Sequence, residues 1–428
     1  MKTYVELDVD FPPVLAELKS AVHRFAENVV RPTATALDRI ADPQQVIAPD
    51  SILWKFYRSA YQLGYHAAMI PTEFGGLGLH GVGMHVFLEE LGWGSAGLAI
   101  SLGVAGFPFE ALAATGNREL IDRYVKPFVA DREAKYIGCW PVTEPAHGSD
   151  WGSSILDDGD PSNRGGRVIA RREGDDYVIN GQKAAWVSNG TIATHGLTYL
   201  MAASNNGQPR AGAAAFVPFD LPGVSKGKPL DKIGQRALNQ GEIFFDNVRI
   251  PARYMLAGAD NFELFGMQVL TKANGTMSAV FTGVARAAFE AALDYSKQRI
   301  QGGKPICEHQ LVQKRLFDMF TRVEACRALS RAVMIHNDPP PAMDLEYAIA
   351  AKTFCTQASF EVASDALQIF GGNGLSREYP IEKIFRDARA SLIEDGTNDI
   401  LSLAGARQII AKSANGGNGA AQHQRAAL

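Results

Sequence analysis

The chain has 428 residues, of which 46% are hydrophobic and 21% charged, and its formal net charge at pH 7 is -4. This length predicts two or three domains, and the composition is that of an ordinary globular protein. The acidic balance argues against nucleic-acid binding, and no uninterrupted apolar run of about 18 residues predicts a membrane helix. The four cysteines fit neither zinc nor disulfide spacing, so we expect no metal site and a reducing compartment. The first ten residues resemble neither a signal nor a transit peptide, so we expect a cytoplasmic location.

The spacing of apolar residues divides the chain into three regions, which together predict a multidomain α+β protein. Residues 1–135 have apolar side chains at three- and four-residue steps and predict an N-terminal helical domain. Residues 136–255 predict a middle antiparallel β-domain, because short β-rich runs alternate with turn signals. Residues 256–412 predict a C-terminal four-helix bundle. Residues 413–428 are rich in Gly, Ala, Asn and Gln and predict a disordered tail.

Local signals predict where several elements begin and end. The hairpin turns of the β-domain are predicted at Asp175-Asp176, Asn180-Gly181 and Asp246-Asn247. Long helices of the bundle are predicted over residues 285–298, 309–336 and 345–370. Three consecutive prolines at 339–341 must interrupt the helical structure between the last two, because proline lacks the backbone donor and clashes with the preceding turn.

Four sequence motifs resemble those of the acyl-CoA dehydrogenase family, and the likeness runs from about residue 12 to 412. In chain order they are PTEFGGLG at 71–78, VTEPAHGSD at 142–150, QIFGGNG at 368–374, and REYP at 377–380 with RDA at 386–388. The resemblance implies the acyl-CoA dehydrogenase fold, bound FAD and an acyl-CoA substrate. It also implies a homotetramer and an electron-transfer flavoprotein as the electron acceptor.

Several residues match the family's contacts to the flavin ring. Val142, Thr143 and Ser149 match the segment that hydrogen-bonds the isoalloxazine edge, and such bonds tune a flavin as an electron acceptor. Trp186 and Ser188 match the Trp and Thr that flank the flavin, although one extra residue precedes them here. The alternative interpretations are a plain hairpin turn for the first segment and an ordinary core tryptophan for Trp186.

A second set of residues matches the family's contacts to the FAD pyrophosphate and adenine. Arg299 corresponds to an arginine near the pyrophosphate, and Gln310 to an adenine contact from another subunit. Gln368, Gly371 and Gly372 resemble the loop that reaches a neighbouring subunit's FAD, where glycine permits close backbone approach. The alternative interpretation is a glycine-rich helix end with ordinary surface side chains.

The family's catalytic base most often lies in a Tyr-Glu-Gly-Thr segment, which corresponds here to residues 394–397. The register places Asp395 where glutamate is usual and Glu394 where tyrosine is usual. Asp395 is therefore the expected base that removes the substrate α-proton, and Glu394 is the second candidate. A charged cap on the following helix is the alternative interpretation of both acids. Thr397 and Asp399 match residues that contact the adenosine-pyrophosphate region of FAD.

The aspartate is a departure from the family. It is one methylene shorter than glutamate, so its carboxylate falls about 1.5 Å short unless the backbone or the substrate compensates. The family's alternative base position corresponds to Ala273, which cannot accept a proton, and Asn274 replaces a common arginine beside it. An aspartate here also resembles the nitroalkane oxidases, as does the stretch 285–290, but Ser402 stands where they have an arginine. We expect α,β-dehydrogenation of an acyl-CoA thioester, with nitroalkane oxidation as the alternative.

Overall fold

A computed structural model of the chain describes residues 11–150, 166–203, 211–338 and 343–415. Its first part is helical as far as residue 130. The helices are α1 Pro13–Phe25, α2 Arg31–Asp38, α3 Pro43–Val46, α4 Ile52–Gln62, α5 Gly81–Gly94, α6 Ala96–Ala114, α7 Arg118–Leu120 and α8 Lys126–Ala130. Among the described residues, α6 alone is long and apolar enough to cross a membrane. However, 78% of its apolar window is buried inside the fold, as in the core helix of a folded domain.

The middle of the chain forms a sheet that covers the N-terminal helices. Its strands are β1 Gly138–Cys139, β2 Ile169–Glu173, β3 Asp176–Lys183, β4 His195–Ala203, β5 Ala211–Pro218, β6 Val224–Lys226, β7 Ile243–Pro251 and β8 Met255–Ala257. The order is β6-β7-β3-β2-β4-β5-β8, with β1 beside β4. The β1–β4 and β2–β4 pairs are parallel, so the predicted antiparallel sheet is in fact mixed. The parallel β2–β4 pair arises because the chain leaves β3 and crosses to the far side of β2 before β4 begins.

Two of the three predicted turns are wrong, because they lie inside strands. Asn180-Gly181 is within β3 and Asp246-Asn247 is within β7, at a point where the register of this pair shifts. Asn247 has a φ of 52° and donates its backbone N–H to the Asn180 side chain at 2.9 Å. Residues that tolerate positive φ favour turns and β-bulges equally, and here they form a bulge.

The last part of the chain is the helical bundle. Its elements are α9 Phe262–Gln298, the short hairpin β9 Ile300–Gln301 and β10 Lys304–Pro305, α10 Gln310–His336, α11 Leu345–Phe370, α12 Ile381–Ala390 and α13 Asn398–Asn415. The last two predicted long helices are confirmed to within one residue, whereas α9 begins at residue 262 rather than 285. Because α13 continues through residue 415, the tail predicted from 413 begins as helix. Residues 416–428 and the prolines at 339–341 lie outside the described residues.

Helices α5 and α9 cross closely enough to require glycine at the contact. A Cβ on Gly92 would lie 2.1 Å from the carbonyl oxygen of Val280, and one on Gly283 would lie 2.0 Å from that of Glu89. Beside the crossing, the buried guanidinium of Arg286 donates to the Glu89 carboxylate at 2.9 Å. The crossing therefore fixes the N-terminal helices against the C-terminal bundle.

Candidate active site

The loop between α12 and α13 presents Asp395 in an uncommon backbone conformation. Asp395 has a φ of 51° and Gly396 a φ of 96°, so two consecutive residues lie in the left-handed region. A hydrogen bond of 3.0 Å from the Asn398 N–H to the Leu392 carbonyl closes the loop. The left-handed conformation costs about 1–2 kcal/mol for a residue with a Cβ, and aspartate tolerates it better than most. Such residues occur mainly where function or surrounding contacts hold them.

The carboxylate of Asp395 is half-buried and accepts no hydrogen bond from the residues that the structure describes. Burial raises its pKa above the ordinary value, and the positive charge of Lys352 opposes that rise. A carboxylate that is partly desolvated and not engaged elsewhere is suited to accept a proton. Of the two candidate bases, Asp395 is the one whose carboxylate is available.

Glu394 lies in a different environment. Its Oε2 accepts a hydrogen bond of 2.9 Å from Nε2 of Gln235, a buried residue with a φ of 49°. Burial, together with the charge of Asp395, raises the pKa of Glu394 to about 7, against the attraction of Lys232 and Lys352. Glu394 is therefore engaged with the loop between β6 and β7, and it changes its charge near neutral pH.

The segment matched to the flavin edge is joined directly to the Asp395 loop. The Ser149 hydroxyl accepts a hydrogen bond of 3.0 Å from the backbone N–H of Thr397. The backbone N–H groups of Val142 and Thr143, on two half-buried residues, find no acceptor within the described part of the chain. Backbone donors of this kind are normally satisfied by a partner. The segment thus offers two neighbouring donors to a bound molecule.

A buried ion pair supports this segment. The side chain of Lys183 is fully buried, and its Nζ donates to the Val142 carbonyl at 2.9 Å and to the Glu144 carboxylate at 2.8 Å. Glu144 also accepts the backbone N–H groups of Arg167 and Val168. Burial lowers the pKa of Lys183 to about 8, and the attraction of Glu144 opposes that fall. Since a buried charge without its partner is costly, the pair holds the segment in one conformation.

Trp186 and Ser188 lie on the loop that follows β3. The first residue after β3 donates its backbone N–H to the Thr143 carbonyl at 2.9 Å, which brings this loop beside the flavin-edge segment. Trp186 is 61% exposed, so the alternative interpretation as a core tryptophan is wrong. Gln240 donates to the Trp186 carbonyl and the Ser188 hydroxyl, both at 3.2 Å, and accepts from Lys232 at 2.8 Å.

Thr397 and Asp399 lie at the start of α13. The Thr397 hydroxyl accepts the backbone N–H of Ile400 at 3.4 Å, as a helix cap does. Asp399 is exposed in the first turn, where its charge is favourable to the helix dipole. The capping role considered for Glu394 therefore falls to Thr397 and Asp399.

The remaining predicted FAD contacts form a second group, which is exposed at the far end of α9. Its members are Arg299, Gln310, Gln368, Gly371 and Gly372. Tyr295 joins the end of α9 to the turn after α11, because its ring stacks on Phe370 at 4.1 Å and its hydroxyl accepts from Asn373 at 3.0 Å. Among the described residues, no hydrogen bond or ion pair links this group to the Asp395 loop. The predicted site residues of the chain are thus divided between two regions of its structure.

A small apolar void of about 10 Å³, room for no more than a single water molecule, lies between α5, α6 and the turn at 65–70. Glu110 lines it and forms an ion pair with Lys272, the residue before Ala273. Met69 also lines it and packs against the apolar cluster that contains Ala273 and has Val142 at its border. The void therefore lies near the flavin-edge segment, and it is too small to hold an acyl group.

Four residues that organise this site were not predicted to do so from the sequence: Glu144, Lys183, Gln235 and Lys352. Lys352 carried a usable signal, because it stands at helical spacing from the apolar residues of the buried face of α11. Gln235 carried none, since its partner Glu394 is 159 residues away in the chain. Pairings over such separations are set by the fold and not by a local pattern.

The chain matches three domain families in the same order as its three regions. These are the N-terminal domain of acyl-CoA dehydrogenase over residues 14–132, the middle domain over 139–248 and the C-terminal domain over 265–410. The cyclohexane-1-carbonyl-CoA dehydrogenase of Geobacter metallireducens is 32% identical over 399 residues, which are 92% of this chain and 96% of that relative.

Solved structures share the whole architecture. The butyryl-CoA dehydrogenase of Megasphaera elsdenii is 27% identical with a TM-score of 0.81, and the match covers 94% of this chain and 100% of that one. A glutaryl-CoA dehydrogenase of Mycobacterium smegmatis in complex with FADH2 is 22% identical with a TM-score of 0.78, covering 95% of each chain. The predicted three-domain fold is confirmed. The chain therefore belongs to the acyl-CoA dehydrogenase family, whose members are flavin-dependent enzymes that dehydrogenate acyl-CoA thioesters.

Proposed function

We propose that Asp395 is the base that removes the α-proton of an acyl-CoA thioester. The observation that carries this proposal is the half-buried Asp395 carboxylate, which lies in the closed loop 392–398 and has no hydrogen-bond partner among the described residues. The carboxylate of Glu394, the other candidate, already accepts a hydrogen bond from Gln235. In this proposal Glu394 is a neighbouring acid that does not itself take the proton.

We propose FAD as the flavin, on the fit of the residues in the two groups. The N–H groups of Val142 and Thr143 would donate to the isoalloxazine edge, and the exposed indole of Trp186, beside Ser188, offers an apolar face to the ring. Ser149 joins that segment to the base loop. When bound, FAD would supply the acceptor for the β-hydrogen, which leaves as a hydride.

The other predicted contacts would hold the remainder of FAD. Thr397, whose backbone N–H binds Ser149, and Asp399, in the first turn of α13, would contact the adenosine-pyrophosphate region of the same protomer's FAD. The exposed group would contact the FAD of a neighbouring protomer in the proposed homotetramer. Its members are Arg299, Gln310, Gln368, Gly371 and Gly372.

In the proton-transfer step, Asp395 accepts the α-proton and the electron pair of the C–H bond moves toward the thioester carbonyl. Burial favours this step, because the carboxylate becomes neutral when it accepts the proton. Efficient general bases have pKa values near the working pH, so a raised pKa makes Asp395 a better base than an exposed aspartate.

We propose a cyclic acyl group as the first substrate to test. A base that is one methylene shorter leaves room beside the α-carbon for a second substituent, such as a ring. The 32% identity with a cyclohexane-1-carbonyl-CoA dehydrogenase over 92% of this chain supports the same choice.

The test is anaerobic flavin reduction by butyryl-CoA, isobutyryl-CoA and cyclohexane-1-carbonyl-CoA. The purified protein should be yellow and should bleach with at least one of them, fastest with the cyclic thioester under the proposal. Asp395→Asn should retain the flavin yet lose about two orders of magnitude in rate or more, as general-base loss does. Asp50→Asn, at an exposed position, is the matched control. Wild-type rates in Asp395→Asn would assign the base elsewhere.

Electron-transfer flavoprotein is the proposed electron acceptor, and a cytoplasmic location completes the proposal. Reoxidation of the reduced enzyme by that protein should be faster than by oxygen, and light scattering should give the mass of four chains. Asp395 and the stretch 285–290 resemble the nitroalkane oxidases, but Ser402 argues against that activity: it replaces the arginine of those enzymes and donates its hydroxyl to the Asn398 carbonyl at 2.7 Å. Peroxide formation from nitroethane would revive that alternative.

A further inference from the structure

A buried ammonium group lies behind the loop that carries Asp395. Lys352, on α11, has no exposed surface, and its Nζ donates to the Gly396 carbonyl and to Oδ1 of Asn398, both at 2.8 Å. Among the described residues it forms no ion pair within 4 Å, so both of its hydrogen-bond acceptors are neutral. Lysine is almost never fully buried without a partner, because removing its charge from water is costly. An ammonium placed in this way needs a reason other than stability.

The same face of α11 holds the next residues of the loop. The Asn398 amide donates to the Thr356 hydroxyl at 3.0 Å, and Thr356 in turn donates to the Lys352 carbonyl at 2.8 Å. The Thr397 N–H donates to the hydroxyl of Ser149, which lies between β1 and β2 in the chain. The three residues that follow Asp395 are therefore each held by a side chain from another part of the fold.

These contacts act on the strained part of the loop. Asp395 and Gly396 both have positive φ, which leaves the Gly396 carbonyl pointing at the Lys352 ammonium. A conformation of this kind persists only when its surroundings hold it. Without the ammonium, the peptide group after Gly396 would lose its hydrogen bond and Asp395 would lose its fixed direction.

The electrostatic surroundings of Asp395 are simple. The positive charge of Lys352 favours the ionised form of Asp395. The negative charges of Asp395 and Glu394 in turn favour the charged form of Lys352. Glu394 also faces Lys232, which in turn faces Asp387. Burial lowers the pKa of Lys352 to about 8, against the attraction of the two carboxylates, so it carries its charge at neutral pH.

We propose that Lys352 is a positioning residue for Asp395: its ammonium fixes the left-handed loop through Gly396 and Asn398, and its charge keeps the carboxylate ionised and ready to accept the α-proton. This inference rests on the proposed function, in which Asp395 is the base. It goes beyond that function because it assigns the direction and the charge state of the base to a residue on a different helix.

The test is Lys352→Met, which keeps the length of the side chain and removes the charge. We expect bound flavin to be retained and the rate of flavin reduction to fall roughly ten- to hundredfold, as for a misplaced catalytic group. We also expect the acid limb of kcat/KM against pH to move up by about one unit, because a carboxylate that loses a nearby cation ionises at higher pH. Lys412→Met, at a half-exposed lysine on α13, is the control and should change neither quantity.

A fall in rate without movement of the acid limb would mean that Lys352 is only structural, and an unchanged rate would mean that it does not position the base. Either result overturns the proposal. Should Lys352→Met fail to fold, Lys352→Gln keeps a neutral donor, and the acid limb must still move up. In an Asp395→Asn background, Lys352→Met should cause little further loss, as expected for residues that act through one another. A wild-type rate in Asp395→Asn alone would instead overturn the proposed function, so the two failures are distinguishable.

Discussion

The Ser149 hydroxyl accepts a hydrogen bond of 3.0 Å from the backbone N–H of Thr397, and so joins the predicted flavin-edge segment to the loop of the candidate base. Ser149→Ala should remove this link and cost about 1 kcal/mol of stability, with weaker flavin retention and a lower rate of flavin reduction. Ser149→Thr keeps the hydroxyl and should remain close to wild type. Flavin absorbance after gel filtration measures the retention. Equal retention in both variants would show that the link does not matter for the flavin.

Replacing Asp395 by the glutamate usual in the family tests whether the short base fits its own loop. The left-handed backbone suits aspartate better than glutamate, and the added methylene moves the carboxylate by about 1.5 Å. Asp395→Glu should therefore be at least about tenfold slower than wild type with its best substrate, yet faster than Asp395→Asn. Single-turnover flavin reduction measures all three. A faster glutamate variant would contradict the fit of the short base.

Glu394 should make stability depend on pH. Its pKa of about 7 in the folded protein lies above its ordinary 4.5, so the folded state keeps a proton that the unfolded chain has lost. Its contribution is complete below about pH 4.5 and is lost as the pH rises toward 7, by at most about 3 kcal/mol. Glu394→Gln cannot titrate at this position. The free energy of unfolding of this variant should therefore rise relative to that of wild type between about pH 4.5 and 7, and the difference should stay constant above about pH 7. Urea unfolding between pH 4.5 and 8 measures this, and a difference independent of pH would contradict it.

The buried Lys183–Glu144 pair should be essential to the flavin-edge segment. Lys183→Met leaves the Glu144 carboxylate buried without its cation and should lower the free energy of unfolding by about 3–5 kcal/mol. The double variant Lys183→Met, Glu144→Gln should recover part of that loss. As a control, Arg249→Met breaks an exposed pair with Glu173 and should leave the unfolding midpoint unchanged. Equal losses in the single and double variants would show that the cost is one of packing and not of an unpaired charge.

Much of the architecture could be predicted because helical spacing is a local property. The helix over 345–370 matches its prediction, since one unbroken periodic run lies between clear end signals. The parallel pairing of β2 with β4 could not be predicted, because strand order depends on where the chain crosses the sheet. The pair Asn180-Gly181 is typical of a turn but lies at a bulge in β3, since a positive φ such as that of Gly181 occurs in both.

The candidate site was predictable where a motif carried it. The register of one segment predicts Asp395 and Glu394 as the candidate bases. Only the fold shows that Gln235 hydrogen-bonds to Glu394, whereas the Asp395 carboxylate stays available. The roles of Lys183 and Lys352 depend on carbonyl groups that they reach across the fold. A sequence pattern does not encode which carbonyl a lysine will meet.

Helix α9 sets the distance between the two groups of predicted flavin contacts. Ala273 belongs to the cluster bordered by Val142, whereas Tyr295 holds the turn that carries Gly371. Ala273 and Tyr295 are 22 residues apart on this helix and so lie about 33 Å apart along its axis at 1.5 Å per residue. If the exposed group contacts the flavin of a neighbouring subunit, as proposed, dilution that separates the subunits should release the yellow colour from the protein.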